Sequence, residues 1–257
     1  MKAIFLRKFS IHIALICCLF AFRAYSQKIT IAAAADTRYV MEELSKEFQK
    51  ANPSIQVDFI YGSSGNLYQQ IVNSAPYDVF FSADLSFPEK LYQNGLTTTN
   101  PKLYGIGHLV LWSSKIDISK GIESFKSPDL KKIAIANPKV APYGKRALEC
   151  LQYYHIYTSI ENNIVQGENV SQAAQFALSG NAEIGIIALS IALSPEMSTK
   201  GKYFLLDEKS YSKLEQAYVV IKRSDSNKNV MIFTKFIESE SARKIFRKYG
   251  FKLPNEK

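Results

Sequence analysis

The segment GSSG at residues 62–65 is the stretch of the chain best suited to binding chemistry. It joins an alternating, strand-like run (residues 55–60) to a run with helical spacing (residues 67–72). Glycines allow a tight turn, and serines at the start of a helix accept hydrogen bonds from its free N–H groups. A strand–GSSG–helix junction therefore brings N–H donors, a helix dipole and hydroxyls together, which suits an anion. Taken alone, the segment is more typical of an ordinary turn with a serine cap, because such small-residue loops are common.

The sequence does not contain a recognisable catalytic centre. The GSSG segment is one residue shorter than a G-x-S-x-G nucleophile elbow, and no histidine is placed by motif to activate a serine. His108 falls in an apolar strand pattern and His155 at a helix end, which favours structural roles. H-E-x-x-H, C-x-x-C and G-x-x-x-x-G-K are also missing. We therefore expect no enzyme; the rival hypothesis, a secreted hydrolase that uses Ser63 or Ser64, has no base.

The N-terminus has the pattern of a secretory signal peptide over residues 1–26. Three basic residues precede an apolar core at 11–22, and the small residues Ala24 and Ser26 predict cleavage before Gln27. The apolar core is shorter than the roughly 20 residues of a membrane span. The sequence therefore predicts a secreted protein with a cleaved signal; an N-terminal anchor and a lipid attachment remain open alternatives.

Removal of this segment changes the charge and the cysteine content. The net charge falls from +9 to +5, because the segment carries four positive charges and no negative ones. The remaining chain shows no clustered Lys/Arg tract, so we expect no nucleic-acid partner. Of three cysteines only Cys150 is left, in a helical apolar pattern. It can form no internal disulfide and is interpreted as a buried thiol.

The order of predicted elements indicates an α/β protein with two lobes. Residues 28–95 alternate strand and helix three times, which predicts a doubly wound parallel sheet with helices on both faces. A second α/β set follows strand 106–113 and runs through strand 217–221, before a last helix at 229–249. We expect lobe 1 to comprise residues 27–106 and 220–257 and lobe 2 residues 107–219, with chain crossings near 105–111 and 216–221.

Four predicted helix N-termini follow strands at positions where they could meet. In parallel sheets, ligands bind at the carboxyl ends of the strands. The pairs are Ala35-Asp36 and Ser63-Ser64 in the first set, and Tyr143-Gly144 and Asn169-Val170 in the second. If the two lobes face each other, these N-termini converge on one small anion. Backbone N–H groups would then do most of the binding, without a lysine.

Four segments resemble those of a known family. GSSGNLYQQIVNSAPYDVFFSAD, YGIGHLVLWS, IAIANPKVAPYG and IGIIAL, in this order and spacing, are similar to segments of periplasmic molybdate-binding proteins, the receptors of molybdate ABC importers. The resemblance covers essentially all of the chain after the signal. It implies the two-lobed, hinged periplasmic-binding-protein fold, in agreement with the two α/β sets.

The resemblance also implies a set of ligand-binding residues. It implies no catalytic residue and no cofactor. It implies no direct metal ligand either, because molybdenum would be bound only as the oxyanion. The set is Ala35, Asp36, Ser63, Ser64, Tyr143 and Val170. Ala35 and Ala188 offer no hydroxyl at positions where relatives carry one. We expect the Asp36 side chain to cap its own helix and leave its N–H to the ligand. If the side chain pointed inward instead, it would accept a proton and favour a protonated anion such as hydrogen phosphate.

The function implied is capture of molybdate, and also tungstate, by a monomer that passes the anion to a membrane permease. Sulfate and molybdate both present four acceptor oxygens, so cavity size would discriminate between them. The alternative is a receptor for sulfate or phosphate.

Overall fold

The computed structural model describes residues 28–254 and residue 256, and it contains two five-stranded sheets. The strands are β1 (Ile29–Ala34), β2 (Val57–Gly62), β3 (Val79–Ser82), β4 (Lys102–Gly107), β5 (Leu109–Ser113), β6 (Ile133–Ala136), β7 (Ile164–Gly167), β8 (Ile184–Ala188), β9 (Lys202–Leu205) and β10 (Leu214–Val220). The α-helices are α1 (Arg38–Ala51), α2 (Ser64–Val72), α3 (Ser86–Gln93), α4 (Pro142–Tyr153), α5 (Tyr157–Ile160), α6 (Val170–Leu178), α7 (Leu189–Ala192), α8 (Pro195–Lys200), α9 (Lys228–Ile237) and α10 (Glu240–Lys248). Short 3-10 turns span Ala35–Thr37, Gly121–Lys126, Glu161–Asn163, Glu208–Ser210 and Lys222–Ser224.

The first sheet has the strand order β2-β1-β3-β10-β4. Strand β1 is parallel to β2 and β3, whereas β10 is antiparallel to β3 and β4. Successive side chains of a strand point to opposite faces. Accordingly Ile31 and Ala33 pack with α1, α9 and α10, while Ala32 packs with Leu67 and Ile71 of α2. Helices cover both faces, as the alternating pattern predicts.

The second sheet repeats this arrangement with the order β7-β6-β8-β5-β9. Strand β6 is parallel to β7 and β8, and β5 is antiparallel to β8 and β9. In each sheet the fourth strand enters from the other lobe. The α/β fold with two lobes and flanking helices is therefore the observed one.

The crossings between the sheets differ from the predicted elements. The apolar run 106–113 is not one strand: β4 ends at Gly107 in the first sheet and β5 begins at Leu109 in the second. The chain crosses back from the second lobe to the first sheet between Ser210 and Leu214. Residues 214–219 therefore belong to the first sheet and not to the second lobe. The predicted boundary at 219/220 is too late because Leu214 and Gln216 continue the same buried strand.

Three smaller points concern the ends and the thiol. The predicted helix 229–249 is two helices, because α9 ends at Ile237 and Ser239 caps α10 by accepting from the N–H of Ala242. Cys150 is buried, and the Ser210 hydroxyl lies 3.2 Å from its sulfur. The predicted signal peptide lies outside the described residues. None of the helices in residues 28–254 has the length and apolar character needed to cross a membrane.

Candidate functional site

The six residues predicted to bind a ligand all line one small cavity between the lobes. The lining residues are Ala34, Ala35, Asp36, Gly62, Ser63, Ser64, Ala83, Ala141, Pro142, Tyr143, Asn169 and Val170. Those up to Ala83 follow strands of the first sheet, and the remainder follow β6 and β7 of the second. The structure thus brings the carboxyl ends of strands from both sheets to one place.

The first junction is a 3-10 turn between β1 and α1. Ala35, Asp36 and Thr37 are all buried in it. Neither this turn nor α1 has a side-chain cap, and the Thr37 hydroxyl donates to the Ala34 carbonyl. The expectation that Asp36 caps its own helix is therefore wrong. Its Oδ2 instead accepts a 2.8 Å hydrogen bond from Nε2 of Gln216, because the tight turn directs the side chain toward strand β10.

The second junction places two serine hydroxyls in different roles. Ser63 precedes α2 in an extended conformation, and its Oγ caps the helix by accepting from the N–H of Asn66 at 3.4 Å. Ser64 is fully buried, and its Oγ accepts a 3.0 Å hydrogen bond from the N–H of Ala83 at the end of β3. Because Oγ is already engaged as an acceptor, the Ser64 hydroxyl hydrogen remains free to point at a ligand.

The second lobe contributes two helix N-termini. Tyr143 is the second residue of α4, after Pro142, and Val170 is the first residue of α6. Asn169 caps α6 by accepting from the N–H of Gln172. First-turn N–H groups have no acceptor within their helix. Within residues 28–254, the backbone N–H groups of Ser64, Tyr143 and Val170 donate to no protein carbonyl.

Behind the cavity lies a buried hydrogen-bond network that the sequence did not indicate. Nε2 of Gln216 donates to Asp36 and, at 3.1 Å, to the Tyr143 hydroxyl, while its Oε1 accepts from the Tyr104 hydroxyl at 2.6 Å. Gly107 makes room for it, since a Cβ there would come within 2.2 Å of the Tyr143 hydroxyl. The one available signal was Gln216, a polar residue within an apolar strand pattern.

Asp36 is the only acidic residue among the described residues that line the cavity. Burial raises the pKa of its carboxyl to about 6, against the opposing effect of the hydrogen bond from Gln216. Its second oxygen, Oδ1, is buried and accepts no hydrogen bond. Burial likewise raises the pKa of the Tyr143 hydroxyl well above its ordinary value, so this tyrosine is neutral.

The lobes are closed on each other around the cavity. The N–H of Gly65 donates to the Val140 carbonyl at 2.9 Å, and a Cβ at Gly65 would lie 2.7 Å from the same oxygen. The hydroxyls of Ser171 and Ser190 donate to the carbonyls of Ala35 and Asp36, at 2.9 and 2.8 Å. Two serines of the second lobe therefore hold the first junction in place. Ala188 supplies no hydroxyl, and Ser190, two residues later, makes one of these contacts.

An ion pair also connects the lobes. The Arg146 guanidinium on α4 lies 2.9 Å from Asp84, which follows β3, and it also contacts Glu149 on its own helix. The side chains of Arg146 and Asp84 are only 8% and 17% exposed. Because the two side chains come from different lobes, this contact belongs to the closed arrangement.

The cavity is suited to a small anion with several acceptor oxygens. Helix N-termini carry partial positive charge and free N–H groups. No lysine, arginine or histidine is found among the described residues of the lining. Binding would therefore depend on neutral donors in a closed, water-poor space, where hydrogen bonds to charged groups are strong.

Comparison with known proteins identifies the family. The sequence profile described as bacterial extracellular solute-binding protein matches residues 29–252. The chain belongs to this family. Among its curated relatives is the molybdate-binding protein ModA of Azotobacter vinelandii, 31% identical over 91% of this chain and 94% of that protein. ModA of Rhodobacter capsulatus is 33% identical over 90% of each chain.

A solved structure of a molybdate-binding protein has the same fold as this chain. The Azotobacter vinelandii periplasmic molybdate-binding protein superposes with a TM-score of 0.83 and 31% identity, covering 88% of this chain and all of that one. These relatives are binding proteins. This solute-binding protein thus has the architecture that its sequence predicts.

Proposed function

We propose that this solute-binding protein captures molybdate, and also tungstate, between its lobes and delivers the anion to an ABC import permease. The observation that carries the proposal is the cavity between the lobes that all six residues predicted from the sequence line together. The similarity to molybdate-binding proteins over about nine-tenths of the chain supports the identity of the anion.

Within this proposal, a tetrahedral dianion is held by neutral donors. The N–H groups of Ser64, Tyr143 and Val170, together with those of Ala35 and Asp36, donate to its oxygens, and the Ser64 hydroxyl adds a side-chain donor. Each hydrogen bond to a charged oxygen contributes about 1.5–3 kcal/mol. Discrimination against sulfate then follows from size, because a fixed ring of donors fits one oxygen–oxygen separation best.

Closure is the step that completes the site. Donors from the two sheets meet only when the lobes are together, so the anion stabilises the closed state. The contacts of Gly65 with Val140 and of Arg146 with Asp84 add to that state. In the proposed transport cycle, the protein acts as a monomer in the periplasm after removal of residues 1–26, and the permease recognises the closed form.

Calorimetric titration tests the proposal. The chain from residue 27 onward would be titrated at pH 7 with molybdate, tungstate, sulfate and hydrogen phosphate. We expect sub-micromolar binding of molybdate and tungstate, and binding of the other two weaker by more than about tenfold. Sub-micromolar binding of sulfate or phosphate with none of molybdate would replace the proposal with the alternative receptor.

A further inference from the structure

Asp36 has features that the capture of a dianion does not explain. It is 1% exposed and lines the cavity, and its Oδ1 accepts no hydrogen bond. A buried polar atom without a partner is rare in folded proteins. An ionised carboxylate next to a dianion would also be repelled by it, and the described lining contains no cationic side chain to offset this.

Among the residues that the structure describes, none packed against Asp36 carries a charge that would fix its protonation state. The titratable groups that face it are two tyrosines, Tyr143 from α4 and Tyr104 from β4. Gln216 from β10 and Ser190 from α7 are neutral, and neither α6 nor α7 contains a charged residue.

Three further titratable residues on neighbouring parts of the chain do not supply a charge to Asp36. The Arg38 guanidinium lies 4.4 Å from the centre of the Tyr61 ring. Nδ1 of His108, at the crossing between the sheets, lies 3.0 Å from Glu208, and burial lowers the pKa of this histidine. Glu215 precedes Gln216 on β10 and therefore points to the opposite face of the sheet. The state of Asp36 is thus left to burial, its hydrogen bonds and the anion.

We propose that Asp36 takes up one proton from solvent when the anion binds, and that the resulting Oδ1–H donates a hydrogen bond to an anion oxygen. The proton bonds to the carboxylate on binding and returns to solvent on release, so no other reactant is needed. The protonated acid supplies a side-chain donor in a site where Ala35 and Ala188 have no hydroxyl. This inference rests on the proposed function: it makes Asp36 a specificity-determining residue that couples capture to pH.

The direction of the pH effect follows from linkage. The pKa of Asp36 is already raised to about 6 by burial, and a neighbouring dianion raises it further. Above pH 6 the free protein has an ionised Asp36, whereas the loaded protein retains the proton up to its higher pKa. Between these two pKa values one proton is taken up per anion, and the association constant falls by up to about tenfold per pH unit.

The test is molybdate titration of the wild-type protein between pH 6.5 and pH 8.5, repeated in buffers of different ionisation enthalpy to count protons. We expect uptake of up to one proton per anion and an affinity that falls as pH rises. In Asp36→Asn the amide oxygen can accept from Gln216 and the amide nitrogen can donate to the anion without a proton. We therefore expect a nearly flat pH profile and, at pH 8.5, tighter binding than wild type.

Glu168→Gln provides the matched control. This carboxylate lies at the cleft, where Asn66 donates to it at 3.2 Å, but it is exposed. The variant should keep the wild-type proton uptake. Wild-type affinity that is constant over this pH range, without proton uptake, would overturn the inference and leave molybdate capture intact. Absence of molybdate binding at every pH would instead reject the proposed function.

Discussion

Replacement of Ser64 by alanine tests two interactions of one hydroxyl, one that stabilises the fold and one proposed to bind the anion. The Ser64 Oγ accepts the N–H of Ala83 and, in the proposed site, donates its hydrogen to the anion. The substitution removes both interactions, and alanine fits the fully buried position without added bulk.

The two losses have different magnitudes and different readouts. A hydrogen bond to a charged oxygen contributes about 1.5–3 kcal/mol, which corresponds to a loss of affinity of roughly 10- to 150-fold. The Ala83 N–H is left buried without an acceptor, which lowers the free energy of unfolding of the anion-free protein by about 1–3 kcal/mol.

The assay combines calorimetric titration of molybdate with urea unfolding in its absence. Ser210→Ala is the matched control, because Ser210 is equally buried but its hydroxyl donates to the Asp207 carbonyl in the second lobe, away from the cavity. We expect the control to lose stability and keep its affinity. Unchanged molybdate affinity in Ser64→Ala, measured on folded protein, would refute the assigned role of this hydroxyl.

Two further substitutions test the backbone donors and the closure of the lobes. Val170→Pro removes the N–H at the first position of α6, where proline is well tolerated, and Val170→Ala is its control. We expect the proline variant to fold and its molybdate affinity to fall by roughly 10- to 150-fold, whereas equal affinities of the two variants would exclude this N–H as a ligand. Gly65→Ala introduces a Cβ 2.7 Å from the Val140 carbonyl oxygen, which obstructs closure of the lobes. Titration should show molybdate affinity reduced by more than about tenfold, with little change in the melting temperature of the anion-free protein. Wild-type affinity would show that closure does not need this close approach.

Local patterns predicted most of the fold because they depend on short-range physics. The alternation of strands and amphipathic helices specified two wound sheets, and glycine and serine junctions marked the helix N-termini. The prediction failed where long-range pairing decides. Nothing local separates β4 from β5 at His108, or assigns Leu214 and Gln216 to the first sheet; only their partner strands do so.

The candidate site likewise has a part that local sequence patterns predict and a part that depends on contacts between distant residues. Half of the lining was predicted, because those six residues lie at the strand–helix junctions that the sequence marks. The side chain of Asp36 was not, since its partner Gln216 lies 180 residues away in sequence. The ion pair of Arg146 with Asp84 joins residues 62 positions apart on different lobes, and no spacing rule connects them. Contacts across the closed cleft therefore require the structure.

A crystal structure of the molybdate complex, with anomalous data at the molybdenum edge, tests the central claim most directly. We expect one anomalous peak between the N-termini of α2, α4 and α6 and the turn at Ala35–Thr37, with anion oxygens within about 2.7–3.2 Å of the backbone nitrogens of Ser64, Tyr143 and Val170. A molybdenum peak elsewhere on a fully occupied protein, with this cavity unchanged, would contradict the account.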